Sequence, residues 1–256
     1  MPATDWGWLI TPAELAAWVV VNNPDVLVIN KPGGVVCHPS KHGPWSSLVG
    51  ACREYLGLDQ LHMPSRLDRE TSGVVVFAKS RAVASRLQRA IQDRRVAKTY
   101  YGILSGTLTT AQTVDAPLGR DVKSGFYCRQ WVIPDGAAAR THFEPISQGA
   151  GYNLVRIRPE TGRMHQIRVH ASYMGHAVAG DKLYGPDETL MLAFLTEGFS
   201  ERLASVLPLP RHALHASSLV FSTEAGEETF CAPLAEDFVA FCAAHGLTTA
   251  AAADCS

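Results

Sequence analysis

Three segments of the chain gather side chains whose types and spacing suit chemistry. The first is Ser65-Arg66-Leu67-Asp68-Arg69-Glu70-Thr71-Ser72-Gly73. A carboxylate set between arginines is expected to stay ionised, because nearby positive charge lowers its pKa. An ionised Asp68 would serve as a nucleophile or a base, not as an acid. A surface loop whose charges pair locally would show the same spacing. The second segment runs from Arg156 through Arg158, Pro159, Gly162, Arg163 and His165 to His170. Read as a strand from Gln166, it turns Ile167 and Val169 one way and Gln166, Arg168 and His170 the other. Such a polar stripe suits contact with an anion, and many edge strands share it. The third, Arg94-Arg95-Val96-Ala97-Lys98-Thr99-Tyr100-Tyr101, brings basic residues to paired tyrosines. Bases stack on aromatic faces at about 1–3 kcal/mol each, so this segment suits an unpaired or flipped base. Alternation across a strand would put one tyrosine in the core and leave the other for a ligand.

Composition narrows the classes. With 46% apolar residues the 256-residue chain can bury a core of its own. No apolar run approaches the ~20 residues of a membrane-spanning helix, and the first residues lack the basic start of a signal peptide. A soluble, cytoplasmic, monomeric protein is expected. The six cysteines form no CxxC pair and no zinc-ligand spacing with histidine, so reduced, mostly packed cysteines are expected. There is no P-loop, GxGxxG or HExxH segment, and neither a metal nor a cofactor is expected. Read on a strand, His165 and His170 fall on opposite faces. The formal net charge is −1, yet residues 53–168 hold 18 Lys plus Arg against 10 acids, and the remainder 5 against 14. One basic face on a neutral protein can bind a polyanion, although scattered, solvated charges would give the same count.

The elements that position these segments follow from periodicity and capping. Thr11-Pro12-Ala13-Glu14 predicts a helix start with a capping box. Val26–Ile29 reads as a strand closed by the turn Asn30-Lys31-Pro32-Gly33-Gly34, and Val35–Pro39 as a short extended piece. A helix is predicted from Ser46 or Ser47 to Gly57. A buried strand follows at Val74–Ala78, then a Ser80-capped helix carrying Val83, Leu87, Ala90 and Ile91. Strands are expected at Tyr100–Leu104, Arg140–Phe143, Tyr152–Arg158 and Gln166–His170. A helix is expected over 187–205, a terminal hairpin at Leu214–Phe221 and Glu228–Cys231, and a last helix near 234–245. The sum is an α+β fold with a large mixed, mostly antiparallel sheet flanked by helices, as a single domain of 1–256 with its core at about 20–245.

Taken together, Asp68 in RLDRETSG, Tyr100 in AKTYYGILSG and Arg168 in TGRMHQIRVH resemble the signature motifs of RluA-type pseudouridine synthases. Asn30-Lys31-Pro32-Gly33 with His38-Pro39 resembles an earlier motif of that family, and Leu214-His215-Ala216 a later one. The resemblance covers residues 24 to 235, in the family's order. It implies the pseudouridine synthase catalytic fold and a cofactor-free isomerisation of specific uridines in structured RNA, ribosomal or transfer. By the resemblance, Asp68 is the catalytic aspartate, which either attacks the nucleoside or removes a ribose proton. Tyr100 would pack against the target base and assist loss of the C5 proton, and Arg168 would pair with Asp68. Arg66 would fill the gap left by the flipped nucleotide, offsetting part of the unstacking cost. Lys31, Lys98, Arg163, His165 and Gln166 are assigned to RNA contact, and His215 is read as structural. Two departures stand out: Ser65 occupies a position that is usually histidine, and about 20 residues precede the match, too few for the S4-type domain many relatives carry. Target choice is then expected to rest on the catalytic domain, including 187–210, or on a partner.

An RNA-binding or chaperone-like protein on the same scaffold is the alternative, but it would have no need of Asp68, Tyr100 and Arg168 together. A glycoside hydrolase would want two carboxylates about 5–10 Å apart, and the nearest second acid is Glu70 in the same loop. If a basic face binds RNA, counterion release makes affinity fall steeply as salt rises. Filter binding across a salt series checks this, and a flat response would count against the basic face.

Overall fold

The computed structural model describes residues 8–38, 42–224 and 226–252. Pro39 of the second extended piece, Cys255 and the end of the alanine-rich tail lie outside them. Along the chain, α1 (Pro12–Trp18) begins with the predicted capping box, the Thr11 and Glu14 side chains each accepting the other's backbone N–H. Strands β1 (Val19–Asn22) and β2 (Val26–Lys31) follow, then α2 (Leu48–Leu56), which Ser47 caps and left-handed Gly57 ends. Next come β3 (Ser72–Ala78) and α3 (Arg81–Gln92), capped by Ser80. A run of strands then appears: β4 (Val96–Ser105), β5 (Gln112–Asp115), β6 (Leu118–Arg120), β7 (Gln130–Val132), β8 (Arg140–Gly149) and β9 (Tyr152–Pro159). Helices α4 (Gln166–Tyr173), α5 (Thr189–Glu197) and α6 (Glu201–Ala204) lead to β10 (Leu214–Thr223), β11 (Gly226–Cys231) and α7 (Glu236–Ala244).

These elements form two compact units. One comprises the chain up to Ala97 together with His215–Ala235. In it β2 pairs antiparallel with β1 and β3, β3 pairs parallel with β10, and β11 closes an antiparallel hairpin with β10. Every residue of β3 is buried, and its large apolar side chains contribute roughly 1.5–3 kcal/mol each. Val75 and Phe77 meet Leu15, Leu27, Ile29, Leu48 and Cys52 in one core. The other unit comprises Lys98–Leu214 with Glu236–Ala252. There β9 lies between β4 and β8, β8 also pairs with β5, and all pairings are antiparallel. Strands β6 and β7 form a separate ribbon packed, through Leu118 and Trp131, with Val169, Leu183 and Tyr184. The α+β class with mixed, mostly antiparallel pairing and flanking helices is therefore as expected. Among the described residues no helix is long and apolar enough to cross a membrane.

Three expectations are corrected. Gln166–His170 is not a strand but the start of α4, and the predicted two-faced stripe does not exist. Gln166 to Ala171 are all buried, so this helix shows no amphipathic pattern, and five residues are too few to separate a period of 2 from one of 3.6. The predicted helix over 187–205 is two helices, because Gly198 takes φ +79° and ends the first. Cys231 is disulfide-bonded, against the expectation of reduced cysteines, while Cys37, Cys52, Cys128 and Cys242 are free and Cys128 is exposed.

Gly73 opens β3 where β10 approaches. Its φ is +112°, and a Cβ there would lie 2.1 Å from the Ala216 carbonyl oxygen. Gly151 also has positive φ, +81°, but open space around it. Gly73→Ala is expected to cost about 3 kcal/mol through strain and overpacking, and Gly151→Ala about 1 kcal/mol. Urea unfolding of the two variants checks the contrast, and equal losses would refute it.

Candidate active site

The Asp68 loop is fastened on one side by a buried ammonium. Lys31 has no exposed surface, and its Nζ donates to the carbonyls of Pro32, Val35 and Arg69 at 2.9, 3.0 and 2.9 Å. The Gly34 N–H donates to the Arg69 carbonyl at 2.8 Å, and Arg69 Nε donates back to the Gly34 carbonyl at 3.1 Å. On the other side Ser72 Oγ lies 2.9 Å from His215 Nδ1, while His215 Nε2 donates to the Ala232 carbonyl at 3.2 Å. Between these anchors the Thr71 N–H turns back to the Asp68 carbonyl at 3.2 Å. Leu67 packs into the core, Asp68 is half-buried, and Arg66 is exposed with its Nη1 donating to His38 Nε2 at 2.6 Å. The assignment of Lys31 to RNA contact is thus corrected. Its charge is spent inside the loop, and His215 is buried between Ser72 and the Ala232 carbonyl.

The remaining site residues belong to the other unit. On β4, Tyr101 is fully buried and Tyr100 half-buried, the division that strand alternation suggests. Lys98 shares Tyr100's face of the strand. Burial pushes its ammonium down from the ordinary lysine range, and its Nζ lies beside Gly162, 3.1 Å from where a Cβ would be. Arg163 is exposed and donates from Nε to the Ala138 carbonyl at 3.1 Å. Gln166 is buried, its Oε1 accepting from Thr161 Oγ1 and the Arg163 N–H, its Nε2 donating to the Arg140 carbonyl and Thr141 Oγ1. That corrects its assignment to RNA: the amide oxygen serves the turn before α4 and the amide nitrogen is spent on β8.

Arg168 lies on α4, where Nε and Nη2 donate to the two oxygens of Asp181 at 2.6 and 2.9 Å. The Asp181 side chain has no exposure and also accepts the N–H groups of Leu183 and Tyr184 at 2.9 and 3.0 Å. Burial alone would raise this carboxyl, but the Arg168 charge and its hydrogen bonds outweigh burial and hold it below the usual carboxylate range. The Tyr184 ring lies 4.9 Å from the Arg168 guanidinium carbon, and its hydroxyl meets His165 Nδ1 at 2.8 Å. Sequence reasoning missed Asp181 and Tyr184. The run Gly180-Asp181-Lys182-Leu183-Tyr184-Gly185 signals them, since a glycine-flanked acid offers a single arginine a buried partner.

A family model described as RNA pseudouridylate synthase matches residues 25–173, which contain Asp68, Tyr100 and Arg168. The chain belongs to the RNA pseudouridylate synthase family. As a pseudouridine synthase it is an RNA-modifying isomerase. It is similar to the ribosomal large subunit pseudouridine synthase D of Vibrio vulnificus, 36% identical over 86% of this chain and 68% of that one. It is also similar to the protein of the same name from Yersinia pestis, 33% identical over 81% of this chain and 63% of the relative. The chain thus spans about two thirds of these relatives' length. Among solved structures, human RNA pseudouridylate synthase domain containing 4 superposes with a TM-score of 0.70 at 25% identity, covering 91% of this chain and 94% of that one.

In this pseudouridine synthase His170, a neighbour of Arg168 on α4, is fully buried. Its Nε2 donates to the Ala116 carbonyl at 3.0 Å, and its Nδ1 accepts from the Thr141 hydroxyl at 2.9 Å, protons assigned from these partners. Burial pushes its pKa below the ordinary 6.5. Below pH 6.5 the unfolded chain therefore binds a proton that the folded one refuses, so stability is full above that pH and declines as pH falls toward the folded value. Melting of wild type and His170→Gln across this range checks the sign. The gap between their Tm values is expected to narrow as pH falls, and a widening gap would contradict a neutral His170.

Proposed function

We propose that this pseudouridine synthase isomerises specific uridines of ribosomal large-subunit RNA, with Asp68 as its catalytic residue. The observation that carries the reading is the Asp68 loop itself. Lys31 and the Ser72–His215 pair hold the loop's two ends, so the stretch that carries half-buried Asp68 is fixed from both sides. The choice of RNA is supported by the names of the Vibrio and Yersinia relatives.

In the proposed reaction the bond between uracil N1 and ribose C1′ breaks, and the base turns within the site. A new bond then joins C5 to C1′, C5 loses its proton and N1 gains one, so that no atom or electron is left over. Asp68 either attacks C1′ or takes the C2′ proton to start the break. Half-buried Tyr100 packs against the uracil and assists removal of the C5 proton. Arg168 is the cationic partner that keeps Asp68 ionised. Exposed Arg66 enters the space the target nucleotide vacates, compensating part of the few kcal/mol that flipping costs. Lys98, Arg163 and His165 contact the RNA backbone or the flanking nucleotides.

Pseudouridine mapping of total RNA from a strain lacking this protein, complemented with wild type or Asp68→Asn, tests the reading. Specific sites in large-subunit ribosomal RNA are expected to disappear, to return with wild type and to stay at background with Asp68→Asn. Loss of transfer RNA sites instead would replace the proposed substrate. Restoration by Asp68→Asn would remove Asp68 from the chemistry.

A further inference from the structure

The segment Gly180–Gly185 lies beyond the residues matched by the family model, 25–173, yet it surrounds Arg168. Asp181 grips the edge of the guanidinium through Nε and Nη2, at 2.6 and 2.9 Å. Tyr184 lies against its face, with the guanidinium carbon 4.9 Å from the ring centre. Neither partner can drift. Asp181 is anchored by the N–H groups of Leu183 and Tyr184. The Tyr184 hydroxyl accepts the Gln130 N–H at 2.8 Å, so its own proton goes to His165 Nδ1, also at 2.8 Å. His165 is then the tautomer protonated on Nε2, and it sits at the head of α4 in a left-handed conformation, φ +55°. Arg168 is thus held at its edge, at its face and by the burial of the helix it stands on. An arginine used as a loose surface cation needs none of this. One whose charge must point in a single direction needs all of it.

We propose that Asp181 is the positioning residue of the active site, fixing the orientation of Arg168 against the Tyr184 ring so that the guanidinium serves Asp68. Asp181 touches no substrate. It acts through Arg168, and the proposal rests on the role given to Arg168 above. Asp181 therefore governs the rate of the chemical steps rather than the affinity for RNA.

A double-mutant cycle tests this in single-turnover pseudouridine formation, with RNA affinity and Tm measured alongside. Asp181→Asn is expected to slow turnover about 100-fold, the scale of a catalytic group displaced by about 1 Å, with RNA affinity within about threefold. In an Arg168→Ala background the same change is expected to slow turnover no further, because its effect passes through Arg168. An undiminished loss in that background, or a loss confined to RNA affinity, would overturn the proposal. Should Asp181→Asn fail to fold, exchange of the Arg168 Nε–H in wild type decides instead. Its resonance, assigned by comparison with Arg168→Lys, is expected to survive at mildly alkaline pH when that of exposed Arg202 has been lost. Equal exchange of the two would overturn the proposal. A wild type that forms no pseudouridine would defeat the functional reading, while the exchange result would still decide whether Asp181 fixes the guanidinium.

Discussion

A carboxylate with no exposed surface has to be met by donors on every side, and Asp181 is met by four: two from Arg168 and two backbone N–H groups. Burying an ion is costly unless partners replace the water it loses, and here the replacement dictates local structure. The turn at Leu183–Tyr184 exists to aim its N–H groups at the carboxylate. The Tyr184 ring is brought under the guanidinium, and the β6–β7 ribbon packs on the same ring and on Val169 of α4. A surface ion pair contributes little to stability and fixes little geometry. This one organises a helix, a turn and a ribbon around one cation.

The other unit uses the opposite charge for a similar purpose. The Lys31 ammonium is met by three carbonyl groups, two from the turn that follows it and one from Arg69, and the loop that carries Asp68 is assembled around it. The Gly34–Arg69 exchange of hydrogen bonds adds a short stretch of two-way pairing between the turn after β2 and that loop. In each unit a buried charge, with partners in the main chain, organises the local structure around Asp68 or Arg168.

Much of this was legible in the sequence where the physics is local. The capping box at Thr11, the Ser47 and Ser80 caps, the buried β3 run and the β10–β11 hairpin all follow from residue type and near neighbours. The long motifs around Asp68, Tyr100 and Arg168 revealed the family. What was not legible depended on distant partners. The segment from Gln166 alternates as a strand would, yet it is helical because its surroundings bury it on all sides. Gln166 and Lys31 look like RNA contacts by type, yet their polar atoms bond to distant parts of the chain inside the protein. The strands β5, β6 and β7 have three or four residues each and depend on pairing, which no window of sequence displays.

The chain's path through the two units has a bearing on how the protein is made. The first unit is not complete when its amino-terminal stretch leaves the ribosome. Strand β3 waits for β10, and the Ser72–His215 hydrogen bond that steadies the Asp68 loop joins residues 143 positions apart. The second unit likewise draws α7 from beyond β11. Contacts of such long sequence separation must absorb loop-closure entropy before they stabilise anything, and they form slowly. During synthesis the arginine-rich stretch before β10 therefore emerges before the strand that steadies the Asp68 loop, and the chain has to leave the ribosome as far as His215 before that hydrogen bond can form.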